Sequence, residues 1–201
     1  MLFRSSLATR LTLISHAATE ALRRSAFPLD EPLEEREMAK VAALGWDALR
    51  AQRVLSGPER RVHQTAQALG LSAEVTAELR DCDFGDWRGY TLSEIELRQP
   101  EQVVAWLTDP AAAPHRGESI LHLITRIGGW LEKQRASDHT IAVTHAAVIR
   151  GALVHALQAP PSTFWRIDIA PLSVTDLRWN GRVWTVRSSG CSLLRGTQTN
   201  D

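Results

Sequence analysis

Two histidines in this chain each stand directly behind a short apolar, β-branched run: His16 after Leu13-Ile14-Ser15, and His145 after Val143-Thr144. Such runs read as buried strands, and in an open α/β sheet the residues just past the strand ends gather at one carboxyl edge. Two imidazoles delivered into one crevice could carry out phosphoryl transfer. The turn from Ser56 to Arg61 follows a third such run and joins them by the same logic. No HxH, HExxH or Cys/His cluster is present, so neither a metal nor another cofactor is expected. His63, His115, His122, His139 and His155 fall on predicted helices and loops and read as surface or packing residues.

The elements that must position these groups alternate. Leu11 to Ser15 reads as a strand, and Glu34 to Arg50 as an amphipathic helix with Met38, Val41, Leu44 and Leu49 inward. Arg53 to Ser56 is a strand broken by Gly57-Pro58, and Arg60 to Leu69 a helix closed by Gly70. Phe84 to Trp87 reads as a turn, Thr91 to Leu97 as a helix, and Pro110 to Gly117 as a loop. Ser119 caps a helix to Arg135, Thr140 to Thr144 is a strand, and a helix runs from about Ala147 to Leu157. Strands are predicted at Phe164 to Ile169, Val174 to Trp179 and Val183 to Arg187, with Asn180-Gly181 as the hairpin turn. This order predicts a three-layer α/β domain: a mostly parallel sheet, helices on both faces and a C-terminal edge hairpin.

With 201 residues, the chain fits a single domain over 10–201 behind a short flexible tail over 1–9. Lys+Arg and Asp+Glu balance at 23 each, without a basic stripe, which argues against nucleic-acid and membrane-surface partners. Two cysteines, Cys82 and Cys191, make no disulfide framework, and no signal or membrane-spanning stretch is read, so a cytoplasmic location is expected. The edge strand of the hairpin offers a contact for a homodimer.

The residues around the histidines resemble the histidine phosphatase superfamily, which includes cofactor-dependent phosphoglycerate mutases. Ser15-His16-Ala17-Ala18-Thr19 is similar to its opening Arg-His-Gly-x-Thr. Ser56, Pro58, Arg61, Gln64, Thr65 and Ala66 fit a second motif, and Leu79 to Gly89 resembles Leu-Arg-Glu-x-x-Phe-Gly-x-Trp-x-Gly. Gly117-Glu118-Ser119 with Arg126, and Thr144-His145-Ala146-Ala147-Val148-Ile149-Arg150, complete the series in family order over about residues 10–190. The resemblance implies that His16 is the nucleophile forming a phosphohistidine and that Arg61 clamps phosphate. It also implies that His145 stabilises the phosphoryl group and that Asp81, in place of the family's Glu, is the general acid. Asp83 and Asp86 are the nearby alternatives. Ser15, Thr19, Arg61, His145 and Ala146 are the expected substrate-binding set, and Trp87, Tyr90 and Trp106 the expected walls for an organic group. Hydrolysis of a small phosphorylated metabolite is favoured over mutase activity, since the chain is compact.

Four positions depart from the pattern. Ser15 stands where the family has arginine, Leu22 where it often has asparagine, and Ala17 and Ala146 where it has glycine. Two readings follow. Either another cation, with Arg23, Arg24 and Arg60 as candidates, fills the gap in a working phosphatase, or the domain binds an anionic or phosphorylated ligand without turnover.

Overall fold

The computed structural model describes residues 9–46 and 51–193. Its centre is a sheet of six strands: β1 (Thr9–Ser15), β2 (Arg53–Ser56), β3 (Glu74–Val75), β4 (His139–Thr144), β5 (Ser173–Trp179) and β6 (Trp184–Ser192). They lie in the order β3-β2-β4-β1-β5-β6. The first four are mutually parallel, and the β5–β6 hairpin adds antiparallel to β1, with β6 at the outer edge. Asn180 Oδ1 accepts from the amides of Arg182 and Val183, and Gly181 takes φ +90°, which closes the hairpin turn as its Asn-Gly pair predicts.

Seven helices are described: α1 (Glu20–Arg23), α2 (Glu35–Ala42), α3 (Arg60–Ala68), α4 (Leu92–Arg98), α5 (Pro100–Thr108), α6 (Ile120–Lys133) and α7 (Ala146–Ala156). Alternation along the strands divides the core. Leu11, Leu13 and Ala142 face α6 and α7, whereas Ile14, Ile141 and Val143 face α2 and α3. In α6, Ile120, Leu123, Ile124, Ile127 and Leu131 recur at helical spacing and are buried, each contributing on the order of 1.5–3 kcal/mol by leaving water. Ser119 Oγ caps that helix by accepting from the His122 amide. A third cluster, built from Phe27, Trp87, Ile95, Val103 and Trp106, lies beneath α4 and α5.

The observed elements depart from the sequence expectations in several places. No strand forms at Phe164 to Ile169; Pro161–Arg166 is a 3₁₀ turn that buries Phe164 against α7, and Pro161 suits its first position. The helix expected to Arg50 stops at Ala42, and Leu49 lies outside the described residues. Helices α1 and α5 and the two-residue strand β3 were not anticipated. Strand β1 begins at Thr9, a residue assigned to the tail.

Two loops that support the site cross at close quarters. The amide of Asp86 donates to the His115 carbonyl, and that of Glu118 to the Asp83 carbonyl. A Cβ on Gly117 would meet the Asp83 carbonyl oxygen at 2.0 Å, so only glycine fits there. Gly129, in α6, has open space around its missing Cβ. Gly117→Ala should therefore lower the unfolding free energy by about 1–3 kcal/mol, whereas Gly129→Ala should raise it by about 0.5–1 kcal/mol. Chemical denaturation of the two variants checks both signs.

Candidate active site

Parallel pairing sets Ser15 opposite Thr144 and Ser56 opposite Val143. The next residues, His16 and His145, consequently leave adjacent strands side by side, and their rings meet edge-on with centroids 5.1 Å apart. His16 Nδ1 lies 2.7 Å from the Ala17 carbonyl oxygen, which can only accept, so Nδ1 carries the proton and Nε2 keeps its lone pair. Burial, with the charges of His145 and Arg61 beside it, brings the His16 pKa down to about 3. The ring is thus neutral through the physiological range.

His145 is held in the opposite state. Its Nε2 lies 2.8 Å from Glu59 Oε2 and its Nδ1 3.2 Å from Asp81 Oδ2, so both nitrogens donate to carboxylates. Burial disfavours its charge, but the two carboxylates outweigh that and raise its pKa above 6.5. Burial would also raise Asp81, yet His145 and Arg61 hold its carboxyl well below the usual carboxylate range. Glu59 is likewise lowered against its burial by the bond to His145. Arg61, almost wholly buried, donates from Nη2 to Asp81 and from Nη1 to the Leu29 carbonyl, both at 2.8 Å.

The segment carrying Asp81 is held from behind. Arg126 makes a two-pronged pair with Glu118, at 2.7 Å for each prong, and donates to the carbonyls of Glu78, Arg80 and Asp81. Such fork-to-fork geometry fixes orientation as well as distance. Cys82, next along, is buried, and burial with the Asp81 charge pushes its thiol far above the ordinary range, which makes it unreactive.

The sequence profile of the histidine phosphatase superfamily (branch 1) matches residues 11–192. The chain belongs to that superfamily. A bifunctional protein of Mycobacterium tuberculosis is 32% identical over 86% of the chain and 51% of its own length. The chain thus spans about half the length of the first curated relatives it matches. Glucosyl-3-phosphoglycerate phosphatase of Mycolicibacterium vanbaalenii is 30% identical over 87% of the chain and 93% of that protein. Among solved structures, a mycobacterial glucosyl-3-phosphoglycerate phosphatase with VO3 superposes with TM-score 0.78 at 24% identity, over 92% of this chain and all of that one. That similarity describes the fold.

The superfamily fold brings His16, Arg61, Asp81 and His145 to one cavity of about 170 Å³, which Thr19 and Ala146 also line. Ser15 is buried in β1 and is not among its walls. Thr19 is committed to capping α1, its Oγ1 accepting from the Leu22 amide. Leu22 lines the cavity, as do Ala146 and Ala147 at the start of α7. None of Arg23, Arg24 and Arg60 lines the cavity, and Arg23 is paired with Glu20 and Glu34. Trp87 is core, its indole donating to Gln99, and Tyr90 lies on the surface under Arg98; neither is a cavity wall. Asp83 and Asp86 belong to the crossing loops. Two residues at the site were given no role by the sequence: Glu59, which it did not mark, and Arg150, which it marked only as the end of the last motif. Glu59 sits at the N-cap of α3, two residues before Arg61, and Arg150, one turn into α7, lines the cavity with His16. An acid inside the strand-to-helix turn was the available signal for the first.

The two imidazoles affect stability with opposite signs. His16, whose pKa falls on folding, contributes above about 6.5 and loses that contribution as pH drops toward about 3. His145, whose pKa rises on folding, contributes fully below 6.5 and loses its contribution as pH climbs through the folded value. The stability difference between the wild type and His145→Gln should accordingly shrink as pH is raised above 6.5. A difference that stays constant in denaturant titrations across that range would contradict a charged His145.

Proposed function

We propose that the chain is a phosphatase that hydrolyses a small phosphate monoester through a phosphohistidine, without a metal ion. The observation that carries this reading is the His16 tautomer. Its Nδ1 proton is committed to Ala17, which leaves Nε2 free in a cavity shared with Arg61 and His145. The phosphatase name of a relative matched along almost its whole length supports the same class of reaction.

In the first step His16 Nε2 attacks phosphorus, a P–N bond forms and the bond from phosphorus to the ester oxygen breaks. Arg61 and the His145 imidazolium face the phosphoryl oxygens. The leaving oxygen needs a proton, and Asp81 is the donor in this reading. Free Asp81 is ionised because Arg61 and His145 hold it so. A phosphoryl group that takes over those two cations removes what keeps the Asp81 pKa low, so the carboxyl can then hold a proton and deliver it. In the second step water attacks phosphorus, gives its proton to Asp81 and breaks the P–N bond. Inorganic phosphate leaves and His16 is restored. Thr19 and Ala146 shape the floor of the site. Ser15 reduces its positive charge relative to the family pattern, which leaves Arg61 and His145 to bear most of the phosphate's charge.

Hydrolysis of phenyl phosphate in the presence of a chelator tests the reading, with rapid acid-free quenching to trap phosphohistidine. Wild-type turnover, a labelled His16 and loss of both in His16→Ala are expected. Asp81→Asn should slow alkyl phosphates by about 10²–10⁴-fold and nitrophenyl phosphate far less, because a good leaving group needs little protonation. Tight phosphate binding with no labelled histidine and no turnover would instead establish a domain that binds without catalysis.

A further inference from the structure

The backbone around His16 is pinned by three different elements. The His16 amide donates to the Thr144 carbonyl at the end of β4, at 2.9 Å. The His16 carbonyl accepts from the Leu172 amide just before β5, at 3.4 Å, a donor it shares with the Ser15 carbonyl. The next amide along, that of Ala17, donates to Thr65 Oγ1 on α3 at 3.1 Å. Ala17 and Thr65 are both wholly buried, so water cannot take the place of that hydroxyl.

Only the third of these bonds runs to a side chain. Thr65 lies one turn after Arg61 on α3, and its hydroxyl donates to the Arg61 carbonyl at 2.7 Å. A hydroxyl has one proton to give, and with that proton committed to Arg61 its lone pairs are free to accept. Bonding back to the preceding turn is an ordinary habit of helical threonine. Here the same oxygen also reaches the turn after β1, 48 residues away in sequence. One atom therefore links the backbone of the phosphate clamp to the backbone beside the nucleophile. Its grip on the Ala17 amide fixes the peptide plane between His16 and Ala17, and the Ala17 carbonyl is the group that meets His16 Nδ1 at 2.7 Å.

We propose that Thr65 is a positioning residue for phosphoryl transfer: it holds Ala17 so that His16 keeps its proton on Nδ1 and presents Nε2 toward the group held by Arg61. Its effect on rate rests on the phosphatase reading, whereas its effect on the His16 ring does not require turnover. Valine would fill the same space but would strand the buried Ala17 amide without an acceptor, and the peptide would turn to find another.

Ring nitrogen-15 spectra of His16, together with phenyl phosphate hydrolysis, test this in the wild type, Thr65→Val and Thr65→Ser. Thr65→Val should lose the single Nδ1–H form of His16 and lower kcat by about 10–100-fold with KM little changed, as a misplaced nucleophile requires. Thr65→Ser, which keeps the hydroxyl, should restore the ring spectrum and most of kcat. A Thr65→Val protein that keeps the Nδ1–H form and the wild-type kcat overturns the proposal. A Thr65→Ser protein as impaired as Thr65→Val also overturns it and leaves Thr65 a packing role. Should Thr65→Val not fold, hydrogen exchange of the Ala17 amide in the wild type and Thr65→Ser decides. Protection matching that of the β1 amides in both proteins supports the bond, and exchange at the rate of an open loop overturns it. Failure of the phosphatase reading alone would show as the expected ring spectra with no hydrolysis by any of the three proteins.

Discussion

The parallel pairing of β1 with β4, in the register that sets Ser15 against Thr144, is the constraint on which the site depends. Because both strands run the same way and end together, the residues that follow them emerge as neighbours, and both are histidines. Pairing of β2 with β4 on the other side brings the turn holding Glu59 and Arg61 to the same edge. A slip of one residue in either ladder would send these side chains to the opposite face, where the strands are packed against helices.

Within that frame, the charges divide the labour between two chemically identical side chains. His145 sits between Asp81 and Glu59 and takes a proton; His16, buried beside the resulting cation and Arg61, is kept from taking one. A single charge cluster therefore sets both protonation states, a neutral nucleophile and a charged partner. Asp81 belongs to the same cluster and is held ionised by it, so its capacity to donate a proton depends on what binds Arg61 and His145. The Arg126–Glu118 pair, outside the cavity, fixes the backbone that carries Asp81 and so keeps the cluster in register.

Much of this was legible in the sequence because the informative strands are buried on both faces, and Leu11–Ser15 and Thr140–Thr144 read as continuous apolar runs for that reason. The helix from Ser119 announced itself by its cap and its spacing. The misreadings have local causes. In Phe164–Ile169, alternation suggested a strand, but the pattern arises from a 3₁₀ turn that inserts Phe164 beneath α7. Helix α5 was hidden by Pro100, which reads as a breaker but occupies the first helical position, where no amide is needed. Motif order marked His16, Arg61, Asp81 and His145 and included Arg150 without a role, whereas Glu59 matters through contacts that spacing along the chain does not express. Trp106 is both core and wall, since the aromatic cluster under α5 borders a second cavity, of about 490 Å³, next to the one that holds His16.

One buried charge cluster imposes opposite protonation states on two adjacent histidines. Nitrogen-15 NMR of the histidine rings across a pH titration reads this directly. His16 should stay neutral with its proton on Nδ1 down to strongly acid pH, while His145 should still carry protons on both nitrogens at pH values above 6.5. Two rings titrating together near 6.5, or a His16 protonated on Nε2, would contradict it.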